Sequence, residues 1–159
     1  MSERPYVAVC GAGRATELEA KWAEEVGRLL AGAGAVLVCG GLGGVMDAAA
    51  RGAASAAGTT IGILPGDTRR GSSPHLTVAI PTALGEARNA LVVRAAQAVI
   101  AIGGEFGTLS EIALALRIGV PVVGLGTWEL AKQGRQIEAI RRASTPAEAV
   151  EFALDLARS

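Results

Sequence analysis

Aromatic residues make up only 3% of this 159-residue chain, and histidine occurs once, at His75. The first scarcity leaves the core to Ala, Val, Leu and Ile, which pack closely but carry no polar handle. The second, with only two cysteines, Cys10 and Cys39, and no C-x-x-C pair, argues against a structural zinc site and a Ser-His-Asp triad. Both cysteines lie at strand ends and read as buried thiols. Lysine is confined to Lys21 and Lys132, outside every glycine-rich turn, so no residue is placed to carry pyridoxal phosphate. Charge of one sign is missing as well: fifteen basic and fifteen acidic residues cancel, and no overall field draws in nucleic acid. Neither a signal peptide nor an apolar run of membrane length is present, which predicts a cytoplasmic protein without membrane contact. A P-loop is absent, and the Rossmann fingerprint is broken. Thr16 stands in the place of its third glycine, and Gly40 where an acidic ribose ligand belongs, so NAD is not expected.

What the chain has in abundance is glycine, 22 residues, gathered into turns that follow apolar runs. The stretch that organises the rest is Gln97 to Glu111. Ala98 to Ile102 contains no polar residue and reads as a strand buried on both faces. Gly103, Gly104, Glu105, Phe106 and Gly107 force a sharp turn that leaves backbone N–H groups uncovered. From Thr108 the period changes, with Leu109, Ile112, Ala113 and Leu116 on one helical face and Gly119 and Pro121 as the stop. Uncovered amides and the positive end of a helix dipole then face one anionic ligand. Thr108 with Glu111 also has the form of a capping box, as do Thr16 with Glu19 and Thr145 with Glu148, so the spacing alone gives Glu111 either a chemical or a capping role.

The same strand–glycine–helix unit occurs twice before. Tyr6 to Cys10 leads into Gly11, Ala12 and Gly13 and a helix from Thr16 to Leu30, with Leu18, Trp22, Val26, Leu29 and Leu30 as its apolar stripe. Val36 to Cys39 leads into Gly40, Gly41, Gly43 and Gly44 and an alanine-rich helix ending near Gly58. Further strands are expected at Thr59–Leu64, Leu76–Ile80 and Pro121–Leu125, with a polar loop at Pro65–Pro74. Helices are expected at Leu84–Ala96, Ala131–Arg142 and Pro146–Ala157. Alternating strands and helices with apolar strands predict one α/β domain over residues 1–159, a Rossmann-like doubly wound parallel sheet with helices on both faces. Ligands of such sheets lie at the carboxyl ends of the strands, where the three glycine turns fall.

The residues GGEFGTLSE (Gly103–Glu111), GEARN (Gly85–Asn89) and CGGLGGVM (Cys39–Met46) resemble the LOG family. That family's better-supported activity is cytokinin riboside 5′-monophosphate phosphoribohydrolase, despite its older lysine decarboxylase label. The resemblance implies Arg88 and Glu111 as a catalytic pair. It also implies a phosphate and ligand site drawn from Gly11, Gly13, Gly40, Gly41, Gly43, Gly44, Met46, Asn89, Gly103, Gly104, Glu105, Phe106, Gly107 and Thr108. Ile102 replaces the family's proline before the glycines, and Asn89 its basic residue after the arginine. In both respects the chain is similar to the branch that includes molybdenum cofactor carrier proteins.

Two functions follow. In the first, the chain hydrolyses the N-glycosidic bond of a nucleoside 5′-monophosphate such as AMP: Glu111 stabilises the oxocarbenium-like state and orients water, while Arg88 and the amides hold the phosphate. In the second, it is a carrier of a molybdopterin-type cofactor or nucleotide, with no chemistry of its own. No metal and no obligatory cofactor is expected, and AMP or a molybdopterin-type ligand is the bound group. Arg88 alternatively forms a salt bridge with Glu86 or Glu111. The alanine-rich helix and the apolar segment Leu91–Ala96 suggest faces for a homodimer or tetramer.

Overall fold

The computed structural model describes residues 3–159. Its first half runs β1 (Tyr6–Gly11), α1 (Glu17–Gly32), β2 (Val36–Cys39), α2 (Val45–Ser55), β3 (Thr59–Leu64) and β4 (Val78–Pro81). A 3-10 turn (Gly85–Arg88) then leads into α3 (Asn89–Arg94), β5 (Ala98–Ile102), α4 (Phe106–Ile118) and β6 (Val122–Leu125). A hairpin of β7 (Leu130–Lys132) and β8 (Arg135–Ile137) precedes β9 (Ile140–Ala143) and α5 (Pro146–Arg158). Seven strands form one parallel sheet in the order β4-β3-β2-β1-β5-β6-β9. The chain winds outward from β1 to one edge, returns, and winds outward from β5 to the other. The winding reverses between β1 and β5, so the loops that follow these two strands part and leave a crevice.

Strand side chains alternate between two cores. Val7, Val9, Leu37, Ile100 and Ile102 face α1, α2 and α5, whereas Ala8, Cys10, Val38, Val99 and Ala101 face α3 and α4. Small residues let α1 and α2 approach backbone to backbone. A Cβ on Gly27 would fall on the carbonyl oxygen of Ala49, and one on Gly52 on that of Glu24. This contact corrects the expectation that the alanine-rich helix leaves an uncovered face, because Ala48, Ala49, Ala50 and Ala53 are buried within the single chain.

Four other expectations are corrected. The helix expected over Ala131–Arg142 is instead a hairpin and the edge strand β9. Gln133 and Gly134, with φ of 52° and 76°, make the two-residue turn whose twist suits antiparallel strands. The helix expected over Leu84–Ala96 is a 3-10 turn followed by one short helix ending at Arg94. Leu18, placed on the apolar stripe of α1, is 54% exposed; Val26 and Leu30 of that stripe are buried, with Trp22 and Leu29 half-buried against the same core. The fourth strand begins two residues later than expected, at Val78.

Thr16 and Glu19 do form a reciprocal capping box on α1. On α5, Thr145 accepts from the Glu148 N–H at 3.1 Å, while the Glu148 carboxylate accepts from Ser144 N–H instead of Thr145 N–H. Thr145→Ala is expected to lower stability by about 1 kcal/mol in a urea unfolding curve, because it leaves one first-turn amide unpartnered.

Candidate functional site

The crevice at the reversal point is a cleft of about 350 Å3. Its floor and walls come from four segments far apart in sequence: Gly11 to Gly13 at the end of β1, Leu42 and Met46 before and within the start of α2, Glu86 with Arg88 and Asn89, and Glu105 with Gly107, Thr108 and Glu111 at the start of α4. Pro65 closes one side. Nine of the predicted site residues line it: Gly11, Gly13, Met46, Arg88, Asn89, Glu105, Gly107, Thr108 and Glu111.

The other predicted residues do not line it. Gly40 lies against the guanidinium: a Cβ there would be 2.8 Å from Arg88 Nη2 and 2.8 Å from Met46 Sδ. Gly41 packs on Leu64 and Gly62, Gly44 on the backbone of Ala12 and Gly13, and Gly43 beside the carbonyl of Gly13. Gly103 sits next to the Glu19 carboxylate, and Gly104 against the Thr108 side chain with φ 105°, a backbone conformation that favours glycine. The Phe106 side chain points away from the cleft, 76% exposed, and packs on Trp128 at 5.6 Å between ring centroids.

Helix α4 begins two residues earlier than the sequence pattern suggests. Its N-cap is Glu105, whose side chain makes no capping bond. The first intrahelical bond runs from Leu109 N–H to Glu105 O, so the amides of Phe106, Gly107 and Thr108 have no acceptor within the helix. Thr108 and Glu111 therefore lie inside the helix, and the capping-box reading of that pair is corrected. Glu111 is turned into the cleft instead, buried at 8% exposure, where Oε2 accepts from the Cys10 thiol at 3.0 Å. Burial pushes the Glu111 carboxyl up, while the Cys10 bond and the nearby Arg88 charge oppose that shift. Cys10 is the residue the sequence undervalued; the signal was its position, one residue before the first glycine turn.

Arg88 is 8% exposed and has neither of the carboxylate partners considered for it. Among the described residues, no acidic oxygen lies within 4.0 Å of its guanidinium. Nη1 donates to Asn89 Oδ1, whose amide in turn donates to Ser110 Oγ at 3.2 Å, but Nε is buried without any partner. A buried cation with an idle donor is costly in the free protein and suits a site that receives an anion. The donor set here, one guanidinium and three helix-start amides, has the chemistry of a phosphate site. Among the described residues, no group of three His, Cys, Asp or Glu side chains could hold a metal ion, and no helix is long and apolar enough to cross a membrane.

Known proteins share both the fold and the chain length. The chain is 40% identical over 148 residues to an uncharacterised protein of Archaeoglobus fulgidus, covering 93% of each. It superposes on the molybdenum cofactor binding protein of Rippkaea orientalis with a TM-score of 0.89 at 37% identity, covering 98% of this chain and 99% of the other. The molybdenum cofactor carrier protein of Chlamydomonas reinhardtii gives a TM-score of 0.88 at 33% identity, covering 99% of this chain and 100% of the other. The LOG-like resemblance, close to molybdenum cofactor carriers, therefore stands. The model of the SLOG cluster4 family matches residues 4–150, nearly the whole domain, and the chain belongs to that family.

Proposed function

We propose that the cleft binds the phosphate of a molybdopterin-type cofactor or a nucleotide, and that this chain holds its ligand without transforming it. The observation that carries this reading is Arg88, a buried guanidinium with an unpartnered Nε and, among the described residues, no carboxylate oxygen within 4.0 Å. The likeness to carrier and binding proteins for the molybdenum cofactor supports the choice of ligand. Arg88 pairs with the phosphate, the amides of Phe106, Gly107 and Thr108 complete its shell, and Asn89 holds the guanidinium in place. Such a cofactor brings its own redox chemistry, so the residues here need only bind, orient and shelter it.

The phosphoribohydrolase reading draws on one observation, that Glu111 shares the cleft with Glu105 and Glu86. It gives Glu111 the task of stabilising positive charge on the ribose. The deciding experiment measures binding of molybdopterin and AMP beside release of ribose 5-phosphate from AMP. Binding with no release is the expected result. Release that disappears in Glu111→Gln would replace the carrier reading by the enzymatic one.

The same variant has a second readout. Because burial raises the Glu111 carboxyl, the folded chain holds that proton more tightly than the unfolded chain does. Stability therefore falls as pH rises through the interval between the ordinary carboxylate value and the raised one. Glu111→Gln should flatten that slope in thermal melts from pH 4 to 8. A homo-oligomer remains part of the reading on the strength of Leu84 and Leu91, exposed at 52% and 42% beside the cleft, and sedimentation tests it.

A further inference from the structure

Cys10 ends on the sheet face covered by α3 and α4, and its thiol proton points at Glu111 Oε2. Both side chains are buried, at 1% and 8% exposure. Among the described residues, Cys10 is the only hydrogen-bond donor to that carboxylate. The bond joins residues 101 positions apart, from β1 to the second turn of α4, directly behind the cleft.

We propose that Cys10 is a positioning residue for the ligand site: its thiol fixes the Glu111 carboxylate and sets the charge that an anionic ligand meets there. The proposal rests on the reading of the cleft as an anion site. A thiol suits this place because it donates a proton yet packs among apolar side chains at little cost. Burial, with Glu111 beside it, pushes the Cys10 thiol well up, so it keeps the proton it donates. Cys39 belongs to the opposite sheet face and its own core, and its thiol is pushed up to about 12, so it does not titrate near neutrality.

The charged groups around Glu111 are Arg88 on the 3-10 turn and, in the same cleft, Glu86 and Glu105. An ionised Glu111 repels an incoming anion, and a protonated one does not. Anion affinity should thus strengthen as pH falls through the range in which Glu111 titrates. Without the thiol, one of the two influences that keep Glu111 ionised is gone, and that range moves up the pH scale.

The test is a carbon-13 NMR titration of the Glu111 carboxyl in the wild type, Cys10→Ala and Cys10→Ser, run beside sulfate binding read from the backbone amide shifts of Gly107 and Thr108. Sulfate keeps a constant charge across the range. The alanine variant should titrate at higher pH than the wild type and, at pH values between the two titrations, bind sulfate about threefold more tightly. The serine variant, which keeps a donor, should stay close to the wild type. An alanine variant that titrates like the wild type, or a serine variant that behaves like alanine, overturns the proposal. If the alanine variant does not fold, Cys10→Val, which fills the space without a donor, takes its place under the same criteria. Failure of sulfate to bind the wild type would sink the anion-site reading, whereas the carboxyl titration still decides the role of Cys10.

Discussion

Replacing Arg88 with methionine should make the protein more stable and its cleft roughly a hundredfold weaker at holding an anion. The two effects have one cause. In the free protein the guanidinium is buried with no carboxylate within reach and with Nε unbonded, so its desolvation is only partly offset by Asn89. A flexible unbranched apolar side chain follows most of the same path toward Gly40 and Met46 without that penalty, and a gain of about 1 kcal/mol is expected. The bound state loses a charge-assisted pair with the phosphate. At about 1.5–3 kcal/mol per such bond, affinity should drop by roughly a hundredfold. Urea unfolding without ligand and calorimetric titration with AMP or molybdopterin read the two effects separately. A variant that is both less stable and unchanged in affinity would show that Arg88 is part of the framework alone. Arg88→Lys is not expected to rescue binding, because a point charge replaces the planar fork and Nε is lost.

The largest loss of stability is expected from Gly52→Ala, a change of one methyl group. The added Cβ would overlap the carbonyl oxygen of Glu24, a backbone atom of α1 that cannot rotate away. The helices must separate, and the alanine contacts of Ala23, Ala49 and Ala53 separate with them. Overpacking in well-packed cores costs about 1–3 kcal/mol, and a backbone collision between two long helices belongs at or above the upper end. Gly27→Ala, facing the Ala49 carbonyl, should behave alike, whereas Gly32→Ala meets nothing within 4 Å and should be neutral or slightly stabilising. Thermal melts of the three variants check the contrast. Equal effects at positions 27, 32 and 52 would mean that helix propensity, and not the close crossing, governs this face.

The sheet was legible in the sequence because a strand buried on both faces has no choice but to be apolar, and Ala98–Ile102 and Val36–Cys39 are. The carboxyl-edge location of the cleft was legible for the same reason: the glycine turns mark the strand ends. The segment after β6 was not. Residues 131–142 carry a period that helix and hairpin share over so short a length, and the decisive feature was local, a Gln-Gly pair in left-handed conformation. Glu111 was ambiguous because a Thr-x-x-Glu spacing fits a cap wherever the helix happens to start. The actual start, at Phe106, depends on how Gly103 and Gly104 bend the chain, which a spacing rule does not contain. The Cys10–Glu111 bond was invisible because it spans 101 residues and depends on which strand lies beside which.

That same span fixes when the site can exist. A chain emerging from the ribosome has Gly11 and Gly13 early, and Arg88 once half its length is made, yet neither the α4 amides nor Glu111 until residue 111 is out. The complete site therefore cannot form on a nascent chain shorter than about 111 residues. A bound anion instead discriminates among finished molecules, adding stability only to those whose β1 and β5 have already met.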